Sequence, residues 1–184
     1  MPLRLRPALR LALVFIAFQA AWFACILGVA NGQPWLGMAA VMLVVGVQLG
    51  TGGAVRQDAL LVALAILMGL LWDTAMLRLG VVEYAAAGPI DGLAPAWILA
   101  LWALLGVNLR EALHWLHGRW WLAAAVGAVS GALSYLGAIR LGAGRLPDVG
   151  LALGVLALGW AVMTPLLTES ARWAAGRLKA APGA

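Results

Sequence analysis

Cysteine is almost absent. Cys25 is the only one in 184 residues, so no disulfide can form within the chain and the thiol content says nothing of redox compartment. Charge is also scarce, at 10% of residues against 65% apolar, and the mean hydropathy is +0.99. A water-soluble domain cannot carry that balance. Histidine numbers only two, too few for the histidine-rich iron sites of membrane oxygenases and desaturases. No Ser-His-Asp set, phosphate-binding loop or dinucleotide fingerprint occurs either. No catalytic residue and no cofactor is expected, and an enzyme is the less favoured class.

What is present is apolar sequence in runs of spanning length: 9–30, 36–55, 59–82, 93–109, 120–143 and 149–170. Asn31-Gly32-Gln33-Pro34, Arg56-Gln57-Asp58, Gly88-Pro89-Ile90-Asp91-Gly92, Arg110 to Arg119 and Gly144 to Asp148 break them. The expectation is an all-α, polytopic membrane protein, a single domain over 1–184 with six transmembrane helices arranged as three helical hairpins. Arg4, Arg6 and Arg10 ahead of the first run resemble a signal peptide, but the run is too long for one, so an uncleaved first helix is expected.

Six spans place both termini on one side, together with Arg4, Arg6, Arg10, Arg56, Arg110, Arg119, Arg172, Arg177 and Lys179. The other side holds Arg78, Arg140 and Arg145. That bias predicts cytoplasmic termini in an inner membrane. The net charge of +5 then opposes lipid head groups, and nucleic acid is not an expected partner. Trp35, Tyr84 and Trp97 are assigned to an outer aromatic belt, and Trp115, Trp120, Trp121 and Trp173 to an inner one. Small-residue stripes at Gly46/Gly50/Ala54, Gly127/Gly131 and Gly150/Gly154 predict close helix contacts. A faint repeat, Leu27-Gly28, Leu79-Gly80 and Leu141-Gly142, ends the three outward-running helices.

Asp73 falls about 21 Å along its helix from Ala59, near the bilayer midplane. An isolated carboxylate there costs about 2.5–3.5 kcal/mol, so it must be protonated, paired or turned to a polar cavity. Arg140 is the candidate partner from the fifth span, because Arg78 lies about 140° round the helix from Asp73. A binding or proton-handling site and a structural clamp both fit. Gln19 and Trp22 form a partly polar stripe with Cys25, and Trp72, Trp102 and Trp160 join Trp22 inside the spans. These tryptophans wall a ligand pocket or fill a bundle core. Tyr135, with Ser130 and Ser134, adds hydroxyls that serve a site or bond between helices. Glu111, His114 and His117 share one arc if helical and are weak metal-ligand candidates; an interfacial helix is the favoured reading, with no metal. Glu169 and Arg172 read as an ion pair ending the last helix.

Several of these residues carry a resemblance. Gln19-x-x-Trp22-x-x-Cys25, Gly32-Gln33-Pro34-Trp35-x-Gly37, Asp73 with Gly80, Pro95-x-Trp97, Trp102, Gly131 to Tyr135, Gly137 and Leu141-Gly142 together resemble a bacterial inner-membrane family known as domain of unknown function 2878. Ala132 departs from the Pro expected after Gly131. The resemblance implies a six-helix inner-membrane protein whose relatives are often encoded near enzymes that modify membrane fatty acids. It supplies no catalytic residue.

The leading expectation is a non-catalytic accessory that binds a lipid or apolar small molecule near Asp73, supporting membrane-lipid modification or a stress response, with membrane lipids and a lipid-modifying enzyme as partners. The alternative is a solute carrier or a substrate-binding subunit with a transporter partner, resembling those of energy-coupling-factor transporters. A tryptophan-rich sensor, suggested by Pro95-x-Trp97, and a membrane enzyme stand behind these. The oligomeric state is open.

Overall fold

The computed structural model describes residues 7–179, with side chains from 8 to 176. Arg4 and Arg6 lie outside the described residues, as do the side chains of Arg177 and Lys179. Six helices follow in order: α1 (Pro7–Ala30), α2 (Pro34–Thr51), α3 (Val55–Arg78), α4 (Ala96–Asn108), α5 (Trp120–Arg140) and α6 (Val149–Lys179). Two short strands, β1 (Glu83–Tyr84) and β2 (Gly144–Arg145), pair antiparallel. The fold is all-α and polytopic. The most extensive contacts run within α1/α2, α3/α4 and α5/α6, which makes three hairpins; α2 then packs on α4 and α3 on α6.

Five helices are long and apolar enough to cross a membrane. The fourth is not: α4 has 13 residues, starting at Ala96 rather than 93, because Pro95 holds an extended conformation at its N-cap. At about 20 Å, it is shorter than the ~30 Å hydrocarbon core of a bilayer. The non-helical backbone between α3 and α4 has to find partners where it is buried. It does so: Val81 and Val82 N–H donate to Met76 O, Ala85 N–H to Ala143 O, and Ala94 N–H to Thr74 Oγ1. At the other end of the chain, α6 runs past the expected boundary at 170 to Lys179.

The Leu79-Gly80 and Leu141-Gly142 matches have a local cause. α3 and α5 both end in a left-handed glycine, Gly80 (φ 67°) and Gly142 (φ 97°). Each bends the chain so that the next N–H returns to the helix, Val81 to Met76 O and Ala143 to Ala138 O. Gly28 is not equivalent, since it lies inside α1 and the turn glycine there is Gly32.

Close helix approach follows the glycines only in part. A Cβ at Gly127 or Gly131 would run into Trp160 or Thr164 of α6, so that pair does seat α5 on α6. Gly46, Gly50 and Gly154 have nothing nearby and face outward; α2 instead reaches α1 through Gly37. The expected stripes on α2 and α6 are therefore not bundle contacts. The tryptophans assigned to the inner belt, and Trp35, are exposed, whereas Tyr84 and Trp97 turn inward.

The hairpins gather charge at two ends. At one, Arg10 pairs with Glu111 at 2.7 Å, Arg110 with Asp58, and Glu169 with Arg172 and the Gly118 N–H. The opposite end carries Glu83–Arg145 and the Arg78 bond to Gly92 O.

Candidate functional site

The inward face of α3 is Asp58, Leu61, Ala65, Gly69, Asp73 and Met76, the spacing of one buried helical stripe. Asp73 is fully buried there. One turn earlier, Gly69 leaves room for the Trp102 indole of α4 to lie directly on α3, where a Cβ would collide with it. That seating aims Trp102 Nε1 at Asp73 Oδ2, 2.6 Å away. Gly131 does the same for Trp160 of α6, and the two indoles stack at 4.9 Å with planes 8° apart.

Two hydroxyls complete the cluster, as Tyr84 and Tyr135 both donate to Asp73 Oδ1. Tyr135 comes from α5. Tyr84 comes from β1, held by pairing with β2 and by an edge-on contact with Trp97, whose Nε1 donates to Ala86 O at 3.1 Å. Three donors from three elements thus converge on a carboxylate, which when ionised only accepts. Among the described residues, no ion pair involves Asp73.

Beside this cluster lies a cavity of about 620 Å³, within the range of small-molecule sites. It separates α1 from α5 and is backed by α4 and α6. The two flanking helices meet where Trp22 faces Gly137 and Ala30 faces Gly142. Toward the arginine-rich end, Phe15, Phe18 and Gln19 of α1 stand across the cavity from Val126, Ser130 and Leu133 of α5. Phe15 and Leu133 are 63% and 58% exposed, so the rim opens sideways where a membrane would lie. Trp102, Trp160, Tyr84 and Tyr135 wall it near Asp73, and no charged residue lines it among the described residues. Ser130 and Ser134 hydroxyls donate to their own helix, to Val126 O and Gly131 O.

Of the residues singled out from sequence, Gln19, Trp22, Trp102, Tyr135 and Trp160 line this cavity, and Asp73 stands behind its wall. Trp72 does not take part: it packs on Gly159 of α6, with its indole N–H buried and unpartnered. The Asp73–Arg140 pair does not form. Arg140 is exposed at the end of α5, about 140° round the helix from Tyr135, which faces Asp73 instead. Glu111, His114 and His117 are not on one helical arc, because the chain there is a turn followed by a single 3₁₀ turn at His114–Leu116. Glu111 is taken by Arg10, and His117 Nε2 lies 2.9 Å from Leu109 O. No group of three metal-ligating side chains forms among the described residues.

Tyr84, Trp97, Phe18 and Thr164 were not singled out as site residues. The signal for Tyr84 and Trp97 was the Gly- and Pro-rich stretch around them, which reads as surface loop until the shortness of α4 is known. No curated protein and no solved structure matches the chain. Residues 11–166 match the family described as Protein of unknown function (DUF2878), and with that match over most of its length the chain belongs to this family.

Proposed function

We propose that this integral membrane protein lies in a bacterial inner membrane with both termini cytoplasmic and binds a lipid or another apolar small molecule in the cavity between α1 and α5. It does no chemistry of its own and supports membrane-lipid modification or a stress response through partner enzymes. The observation that carries the reading is the cavity itself: aromatic and aliphatic walls, a lateral rim with Phe15 and Leu133 exposed, and a few polar groups, Tyr84 and Tyr135 by Asp73 and Gln19 and Ser130 farther along. The arginine-rich end, with Arg10, Arg56, Arg110, Arg119 and Arg172, supports the orientation.

Native mass spectrometry after release from gentle detergent tests it. Wild type is expected to retain a defined small-molecule adduct that is lost in Ser134→Phe, which fills the cavity. Adducts indifferent to that change would contradict the reading.

A transporter subunit is the second reading, favoured by Gly46, Gly50 and Gly154, whose small outward faces meet nothing within 4 Å among the described residues. Solute uptake lost in a deletion strain, with membrane fatty acids unchanged, would select it.

A further inference from the structure

We propose that the cavity selects a cationic amphiphile, an ammonium head group on an apolar tail, with the head against the Asp73 cluster. The inference rests on the binding reading above and goes on to name the ligand class.

Protons and lone pairs decide it. Tyr84 and Tyr135 spend their hydroxyl protons on Asp73, and Ser130 and Ser134 spend theirs on helix carbonyls. Toward the cavity these four groups therefore offer lone pairs, which accept and do not donate. The donors that remain are neutral: the Gln19 amide, the Thr164 hydroxyl and the Trp160 indole N–H, the last two buried without a partner among the described residues. Among the described residues, no Arg, Lys or His lines the cavity or joins the cluster. An anionic head would leave water to face acceptors with no cation to compensate, and that desolvation is not recovered.

A cation meets the reverse situation. The Asp73 carboxylate is buried without a counter-ion among the described residues, its Oδ atoms one hydrogen bond behind the tyrosine and indole groups that form the wall. An ammonium accepted by the Tyr84 and Tyr135 oxygens would sit in the field of that carboxylate in a low-dielectric site. Asp73 acts here as a positioning residue that orients both hydroxyls and supplies charge through them.

The test uses three probes of one chain length, dodecylammonium, dodecanol and dodecanoate, titrated at low concentration into the full-length protein in phosphatidylcholine nanodiscs. Tryptophan fluorescence reads binding, after subtraction of partitioning into empty discs. Dodecylammonium is expected to bind about tenfold tighter than dodecanol, and dodecanoate weakest. Asp73→Asn should bring the ammonium to within about threefold of dodecanol while leaving dodecanol binding in place. Should that variant fail to fold, Tyr84→Phe removes one acceptor and should reduce the ammonium preference alone.

Equal binding of all three probes, blocked by Ser134→Phe, would overturn the head-group inference and leave the binding reading standing. Tightest binding by dodecanoate, or an ammonium preference untouched by both variants, would also overturn it. Binding of none of the three would overturn both.

Discussion

Asp58, in the first turn of α3, and Arg110, just past the end of α4, are joined by two hydrogen bonds, Nε to Oδ1 at 2.7 Å and Nη2 to Oδ2 at 2.8 Å. The same Nη2 holds Gly52 O at 2.8 Å, so one guanidinium ties α2, α3 and α4 together at the arginine-rich end. Asp58 is 2% exposed, and its bonds raise the Arg110 pKa above the ordinary value.

Removing one partner of such a pair leaves a buried charge unmatched. Arg110→Ala is therefore expected to destabilise by about 3 kcal/mol. Arg110→Lys should fall between it and wild type, since an ammonium cannot form the two-pronged contact. Asp58→Asn combined with Arg110→Ala should be milder than Arg110→Ala alone. Thermal unfolding in detergent measures all three, and an unchanged melting temperature in Arg110→Ala would refute the role given to the pair.

Glycines on α5 and α2 should respond oppositely to the same methyl group. Gly131→Ala forces a Cβ into the Trp160 ring and should cost about 1–3 kcal/mol, because ring and backbone must both shift. Gly46→Ala meets nothing within 4 Å and should be neutral or slightly stabilising. Equal melting temperatures for the two variants would contradict the α5/α6 packing.

Deleting the Asp73 side chain strands three buried donors. Asp73→Ala should lower stability by about 1–3 kcal/mol for each donor that finds no new partner. Asp73→Asn, which keeps a carbonyl acceptor, should lose less. Adding Tyr84→Phe and Tyr135→Phe to Asp73→Ala should recover part of the loss by removing the stranded hydroxyls. The recovery distinguishes hydrogen-bond loss from a plain cavity, which would worsen or stay unchanged.

Cys25 gives a clean background for topology. It is completely buried, its Sγ packed 3.7 Å from Trp97 O, so wild type should not react with an impermeant maleimide before denaturation. Asp91→Cys lies in the exposed loop before α4 and should label in intact cells, whereas Arg56→Cys should label only after lysis. The reverse pattern would invert the proposed orientation.

Hydropathy alone located the apolar segments, since each helix in lipid must satisfy its own backbone and so leaves a run of spanning length in the sequence. The hairpin order followed from the shortness of most breaks between runs. Asp73 also stood out, because the cost of a carboxylate at mid-depth does not depend on its neighbours. The same local reasoning overran the start of α4: the run 93–109 is apolar apart from Asn108, but Pro95 limits where a helix can begin.

The partners of Asp73 were decided by tertiary structure. Tyr84 is in a loop, Trp102 on α4 and Tyr135 on α5, and no periodicity within one segment encodes that they meet at one carboxylate. Charge pairing suggested Arg140, yet helix rotation places Tyr135 inward and Arg140 outward. The cavity is likewise a relation between helices: α1 meets α5 at Trp22/Gly137, and the cavity opens between them toward Phe15 and Val126. Burial cost is a property of each residue and is written along the chain. Which donor answers a buried acceptor is a distance between segments, and it exists only once the helices have packed.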